Sequence, residues 1–150
     1  MKTYHQEIDL KKTKKKYDFK DITKKVEKVV KDSGVKNGLV NVQSKHTSSA
    51  VYVNENEPLL LKDMKQNWSD LFSAKKSYQH DDFKVRTVNM CKGECENGHS
   101  HLNAVLLGTS VTLNIVRGKI RFGKWQRVFF VELDRPRTRV VSVMVIGEDA

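Results

Sequence analysis

The spacing of apolar and polar positions changes several times along the chain, and each change marks an element. Residues 3–10 alternate, with Tyr4, Gln6, Ile8 and Leu10 on one side and His5, Glu7 and Asp9 on the other, which predicts a first strand. From Asp18 to Asp32 the period lengthens: Phe19, Ile22, Val26, Val29 and Val30 recur at helical spacing. Asp18 and Asp21 sit at the N-terminal end and Gly34 supplies a left-handed stop, so an amphipathic helix over 18–32 is expected. After the Asn37-Gly38 turn, residues 39–43 and 50–54 read as two strands around the polar run 44–49. Pro58 fits a first helical position, and Leu59, Leu60, Met64, Trp68, Leu71 and Phe72 continue a second helix to Ser73 with a wide apolar face. Residues 74–98 hold no period and read as a long irregular segment, of the kind that is functional or disordered in a compact domain. Leu102, Val105 and Leu106 then share one face of a short third helix over 101–107, stopped by Gly108. Four β-rich runs follow at 109–116, 119–122, 125–133 and 138–146, and their short connections predict antiparallel neighbours in a meander.

These elements define an α+β class: one domain over residues 1–150, with an antiparallel meander core and two to three helices. A chain of 150 residues can bury enough surface to fold without a staple. No apolar run approaches the roughly 20 residues that span a bilayer, and the N-terminus lacks the apolar segment of a secretory signal, so the cytoplasm is the expected compartment. Cys91 and Cys95 are accordingly read as free thiols. The net charge of +10 raises nucleic acid as an alternative partner. The excess is mostly lysine and spread out, and the run from Lys11 to Lys16 reads as a solvated turn, because a nucleic-acid groove would interleave aromatics with arginine. No G-x-S-x-G elbow, Walker loop or G-x-G-x-x-G occurs, so the chain offers no support for nucleotide hydrolysis, dinucleotide binding or α/β-hydrolase chemistry.

Candidate chemistry gathers in two stretches, 46–56 and 97–126, which are expected to meet. His46, His80 and His101 lie in or beside loops, and three neutral imidazoles make a physically reasonable site for zinc, or for manganese or iron. His99 and His101 would chelate together on a strand but sit roughly 200° apart on a helix, which leaves His101 as the site residue. Cys91, Cys95, His99 and His101 form a rival ligand set, cramped because the two pairs are so close in sequence. Glu55, Glu57, Asp63, Asp81, Asp82 and Glu132 are available as general bases or as orienters of a histidine. Arg117, Lys119, Arg121, Lys124 and Arg127 carry the charges that cradle a phosphate or diphosphate.

Taken together and in order, Gln43-x-x-His46-Thr47-Ser48-Ser49-Ala50, Val53-Asn54-Glu55-Asn56, Asp63, His80-Asp81, Ser100-His101-Leu102, Leu107-Gly108-Thr109-Ser110 and Gly123-x-Trp125-Gln126 with Glu132 resemble the YjbQ-like family from about Gly38 onward. The resemblance implies a small α+β homotrimer with a β-sandwich core and a polar pocket around His46, Asn54, Glu55, His80 and His101. It implies, as an activity, thiamine-phosphate synthase-type transfer, which joins an aminopyrimidine methyl diphosphate to a thiazole phosphate with loss of pyrophosphate. On that reading the partner is a phosphorylated small molecule, a metal or His46 activates the diphosphate, Glu55 is general base or orienter, and Asn54 assists. The chain departs from the family pattern at Asn103 (lysine in many members), Asn114 (proline), Lys124 (threonine) and Arg127 (glycine).

Overall fold

The computed structural model describes residues 1–149. The elements in order are β1 (Lys2–Lys12), β2 (Asp18–Asp21), α1 (Thr23–Ser33), β3 (Asn37–Ser44), β4 (Ser49–Glu55), α2 (Pro58–Leu71), a 3-10 turn at Gln79–Asp81, α3 (Gly98–Leu107), β5 (Ser110–Val116), β6 (Lys119–Ile120), β7 (Gln126–Glu132) and β8 (Thr138–Glu148). The strands form two antiparallel sheets, one in the order β1-β8-β3-β5-β6 and the other β2-β7-β4. The α+β single-domain reading holds, with the sandwich as its core.

Strand patterning explains the layering. In β8, Arg139, Val141, Val143 and Val145 are buried and the residues between them are more exposed, so this sheet offers one apolar face. In β7, every residue from Val128 to Glu132 is buried, because the strand is covered on both faces. One face joins Val40, Val42, Val51, Val128, Phe130 and the α1 valines in the main core. The other carries Val131 into a second cluster with Ala50, Leu133 and Ala104, closed by Phe19, Tyr52 and Trp68. Phe129 stacks on Tyr52 at 5.3 Å and Trp68 meets Tyr52 edge-on at 5.7 Å, an arrangement that anchors α2.

Two expectations are corrected. The helix expected over 18–32 begins at Thr23, because Asp18–Asp21 pairs with β7, Ile22 N–H continues that ladder to Val128 O at 2.9 Å, and Asp21 Oδ1 accepts the Thr23 N–H at 3.0 Å. Among the described residues the four C-terminal runs do not form a meander: β7 leaves for the second sheet, and β8 returns between β1 and β3. A short turn in a sandwich can pass between layers, and β7, apolar on both faces, is stable only in the doubly covered layer. The wide apolar face expected of α2 is present and largely open, since Leu59 stays 64% and Leu71 52% exposed and Trp68 is the main anchor. The helix is nevertheless well started: Glu57 accepts the N–H groups of Leu59 and Leu60 at 2.9 and 2.7 Å and Pro58 follows it. No helix of the described residues is long and apolar enough to cross a membrane.

Candidate functional site

The loop between β3 and β4 positions His46. Its backbone N–H donates to Ser44 Oγ at 3.2 Å, and Ser44 Oγ lies 2.6 Å from Ser49 Oγ, so the turn closes on itself. His46 Nε2 accepts the Val140 N–H at 2.9 Å, which places the proton of the neutral ring on Nδ1. Burial, and then the Arg139 guanidinium, holds this imidazole below the ordinary histidine range, with Glu132 opposing.

His80 and His101 are brought together by a cap that crosses the long irregular segment. Asp81 Oδ1 accepts the N–H groups of Asn97 and Gly98, each at 2.9 Å, and so ties the 3-10 turn to the start of α3. A carboxylate there also meets the positive end of the helix. Gly98 is required at this junction, since a Cβ on it would stand 2.7 Å from Tyr78 Cβ. The His80 and His101 rings meet edge to face with centroids 4.7 Å apart. Burial, and then the neighbouring His80, keeps His101 below its ordinary range. Arg86 fixes the outer wall by donating to the carbonyls of His80, Val88 and Asn89 at 3.4, 3.3 and 3.0 Å and pairing with Glu94 at 3.5 Å.

His46, His80 and His101 line one cavity of about 930 Å³, together with Asn97, Arg137 and Arg139. Its cations differ in availability. Arg139 is committed through Nε and Nη2, both bound to the fully buried Glu132, and Nη2 also donates to Ser48 Oγ at 3.1 Å. Lys45 pairs with Glu7 at 2.6 Å, and Arg137 Nη2 with Asp134 at 3.0 Å. Three buried polar atoms of lining residues have no partner among the described residues: His80 Nε2, Asn97 Oδ1 and Arg137 Nε.

Sequence reasoning did not find Arg86, Asn97, Arg137 or Arg139. A signal existed for Arg139, which falls in phase with Val141, Val143 and Val145 on the buried face of β8. The expectation that Asn54 and Glu55 join His46 is corrected within the chain: β4 carries Glu55 six residues beyond Ser49, about 20 Å along the strand, where it pairs with Gln126. Glu57 is a helix cap and Glu132 an arginine partner. Arg117, Lys119, Arg121, Lys124 and Arg127 also lie outside this cavity; Arg127 pairs with Asp21 at 2.8 Å, and Lys124 sits 4.6 Å over the Trp125 ring. Cys91, Cys95, His99 and His101 diverge: Cys91 Sγ is 3.6 Å from Glu94, Cys95 Sγ 4.0 Å from Asp134, and His99 Nε2 3.1 Å from Ser100 Oγ. Both cysteines are free thiols.

For a metal, the open His80 Nε2 beside His101 is a suitable start, but His46 presents Nδ1–H rather than a lone pair. Among the described residues, no three side chains of ligating type are grouped to hold one ion as they lie.

The architecture and the histidine-lined cavity define an α+β sandwich protein with a built polar site. The profile of the family described as UPF0047 protein YjbQ-like matches residues 6–148, and the chain belongs to that family. A UPF0047 protein of Methanothermobacter thermautotrophicus is 38% identical over 148 residues, 99% of this chain and 95% of the relative. One from Archaeoglobus fulgidus is 38% identical over 135 residues, 90% of this chain and 96% of the relative. The crystal structure of a YbjQ-like protein of unknown function from Sulfolobus solfataricus superimposes with a TM-score of 0.87 at 32% identity, covering 98% of this chain and 99% of that one.

Proposed function

We propose that the His46/His80/His101 cavity binds and transforms a phosphorylated small molecule, with transfer chemistry of the thiamine-phosphate synthase type as the reaction class. The observation that carries this reading is that His80, Asn97 and Arg137, each with a buried polar atom that has no partner among the described residues, all line one cavity. Buried polar groups are nearly always satisfied, so three open ones in a single concavity ask for a ligand that supplies both acceptors and donors. A phosphate ester or diphosphate offers the acceptors and a heterocyclic amine the donor.

In this assignment Arg137 Nε donates to a phosphate oxygen and steadies the charge that grows as the carbon–oxygen bond to the diphosphate breaks. His80, hydrogen-bonding through Nε2, donates to or accepts from the substrate according to tautomer, and Asn97 Oδ1 accepts from an amino group. Arg139 and Glu132 act beneath them, holding the strand whose Val140 amide orients His46. Zinc is the ion this donor set would take, with His80 Nε2 and His101 as ligands and His46 joining only through a deprotonated Nδ1, and it would supply positive charge to phosphate oxygens. Glu55 has no role in this scheme, given its place at the far end of β4.

A homotrimer is the assembly that the family resemblance implies, and the exposed apolar residues Leu59, Leu71, Val105 and Leu106 are available for subunit contact. Light scattering should then give three times the 17.3 kDa chain mass. The central test is calorimetric titration with pyrophosphate: native protein should bind, while His80→Ala and Arg137→Gln should each bind about tenfold or more weakly, the loss of one charge-assisted or buried hydrogen bond. Equal affinity in all three proteins would sink the assignment.

A further inference from the structure

A second cavity, of about 560 Å³, lies between the C-terminal end of α1 and the β5–β6 hairpin. Lys36 borders it at one end of β3, whereas Lys45 borders the histidine cavity at the other, about 30 Å away at the rise of a strand. Its floor is apolar: Val30 and Val35 are buried and Ile120 half-buried. Its rim carries Lys31, Lys36, Arg117 and Lys119 against a single carboxylate, Glu27.

Two observations bear on this arrangement. None of the four cations has a carboxylate within ion-pair distance among the described residues, which leaves all four available to a ligand. Lys31 alone is explained by the negative end of α1; the other three lie off the helix. The second observation is backbone geometry. Arg117 and Gly118 form the hairpin turn with φ of +53° and +74°. This left-handed pair favours Asn-Gly or Gly-Gly, and a long side chain at its first position is strained. The turn therefore keeps an arginine where its own geometry prefers glycine, and strain held at a surface loop is a mark of a binding role.

We infer that this cavity is a second anion site, which takes a phosphate-bearing small molecule with an apolar body. The body rests on Val30, Val35 and Ile120, while Arg117, Lys36 and Lys119 contact the phosphate. Pockets of 300–1,000 Å³ with an apolar lining and a few polar groups are the usual form of a small-molecule site, and guanidinium forks match phosphate oxygens. The site is independent of the chemistry assigned to the histidine cavity.

The test uses the intact protein and 1-naphthyl phosphate, with 1-naphthol and inorganic phosphate as partial probes, followed by amide NMR shifts at low salt. The phosphate ester should move the Lys36, Gly118 and Lys119 amides and bind more tightly than either partial probe. Arg117→Gly suits the turn at least as well as arginine, so the variant folds; it should bind the ester about tenfold more weakly at this site, the loss of one charge-assisted contact. His80→Ala should leave these shifts unchanged, which separates this site from the histidine cavity. Native affinity in Arg117→Gly, or shifts confined to residues of the histidine cavity, overturns the inference.

Discussion

The Glu132–Arg139 pair gives the most demanding test of how this fold supports its site. Both side chains are essentially out of solvent, at 0% and 3% exposure. Glu132 also accepts from Thr13 Oγ1 at 2.7 Å and from the Asp134 N–H at 3.0 Å, so one carboxylate ties together the ends of β1, β7 and β8. Glu132→Gln keeps the shape but removes the charge and turns an amide N–H₂ toward a guanidinium. Breaking one side of a buried ion pair leaves an uncompensated charge, at a cost of about 3–5 kcal/mol. At about 2–4 °C per kcal/mol for a domain of this size, the melting midpoint should fall by roughly 6–20 °C at fixed protein concentration. The double variant Glu132→Leu/Arg139→Met removes both charges and should be more stable than Glu132→Gln, because no ion is then stranded. Urea unfolding followed by far-UV circular dichroism supplies both values. A loss under about 1 kcal/mol for the single variant, or a double variant no more stable than it, would refute the argument that the charges matter as a pair.

Further outcomes follow from other contacts. Gly98→Ala should push the 3-10 turn off α3, costing about 1–3 kcal/mol by overpacking and weakening pyrophosphate binding in the same variant, and a neutral effect in calorimetry would contradict the contact with Tyr78. Burial first, with nearby cations behind it, depresses His46 and His99, as burial and His80 depress His101, so the unfolded chain takes up protons first. Their contribution is full above about pH 6.5 and is lost as the pH falls through the folded values; the midpoint should drop between pH 7.5 and 5.5, and a flat profile there would contradict it. Glu57→Ala should cost about 1 kcal/mol as a lost cap without altering ligand binding. Untagged protein dialysed against zinc and analysed by plasma emission should retain one ion per chain if His80 and His101 serve as ligands, and His80→Ala should retain none; zinc retained equally by both proteins removes the metal from the scheme.

Local periodicity made much of the architecture legible, and it failed where an element answers to a distant partner. The alternation in β1 and the Gly34 stop of α1 depend on neighbouring residues, and both stand as read. Asp18–Asp21 carries a helix-like spacing through Phe19 and Ile22, but its edge position beside β7 decides its state, and nothing nearby in sequence announces that pairing. The four C-terminal runs were recognisable as strands, whereas their sheet membership depends on which of them needs cover on two faces. That information was present in β7, whose unbroken apolar run contrasts with the alternation of β8.

The site divides along the same line. His46, His80 and His101 were legible as chemistry-bearing residues in polar loops, and they do line one cavity. What sets their states was not legible, because each determinant acts across the chain. Asp81 reaches 16 and 17 residues to cap α3, and Val140 reaches 94 to fix the His46 tautomer. The arginines show the same distinction in charge. Counting cations along the C-terminal strands pointed to Arg117 through Arg127 as the phosphate cradle, yet the histidine cavity takes its arginines from positions 86, 137 and 139. Arg137 has a buried Nε without a partner and a part-exposed pair to Asp134, whereas Arg139 is paired to the fully buried Glu132, so a substitution at Arg137 should weaken anion binding at a smaller cost in stability than one at Arg139. Comparing Arg137→Gln with Arg139→Gln by pyrophosphate titration and urea unfolding separates the two roles: variants that lose stability and affinity in equal measure would show that the ion-pair network, and not the open Arg137 Nε, governs the site.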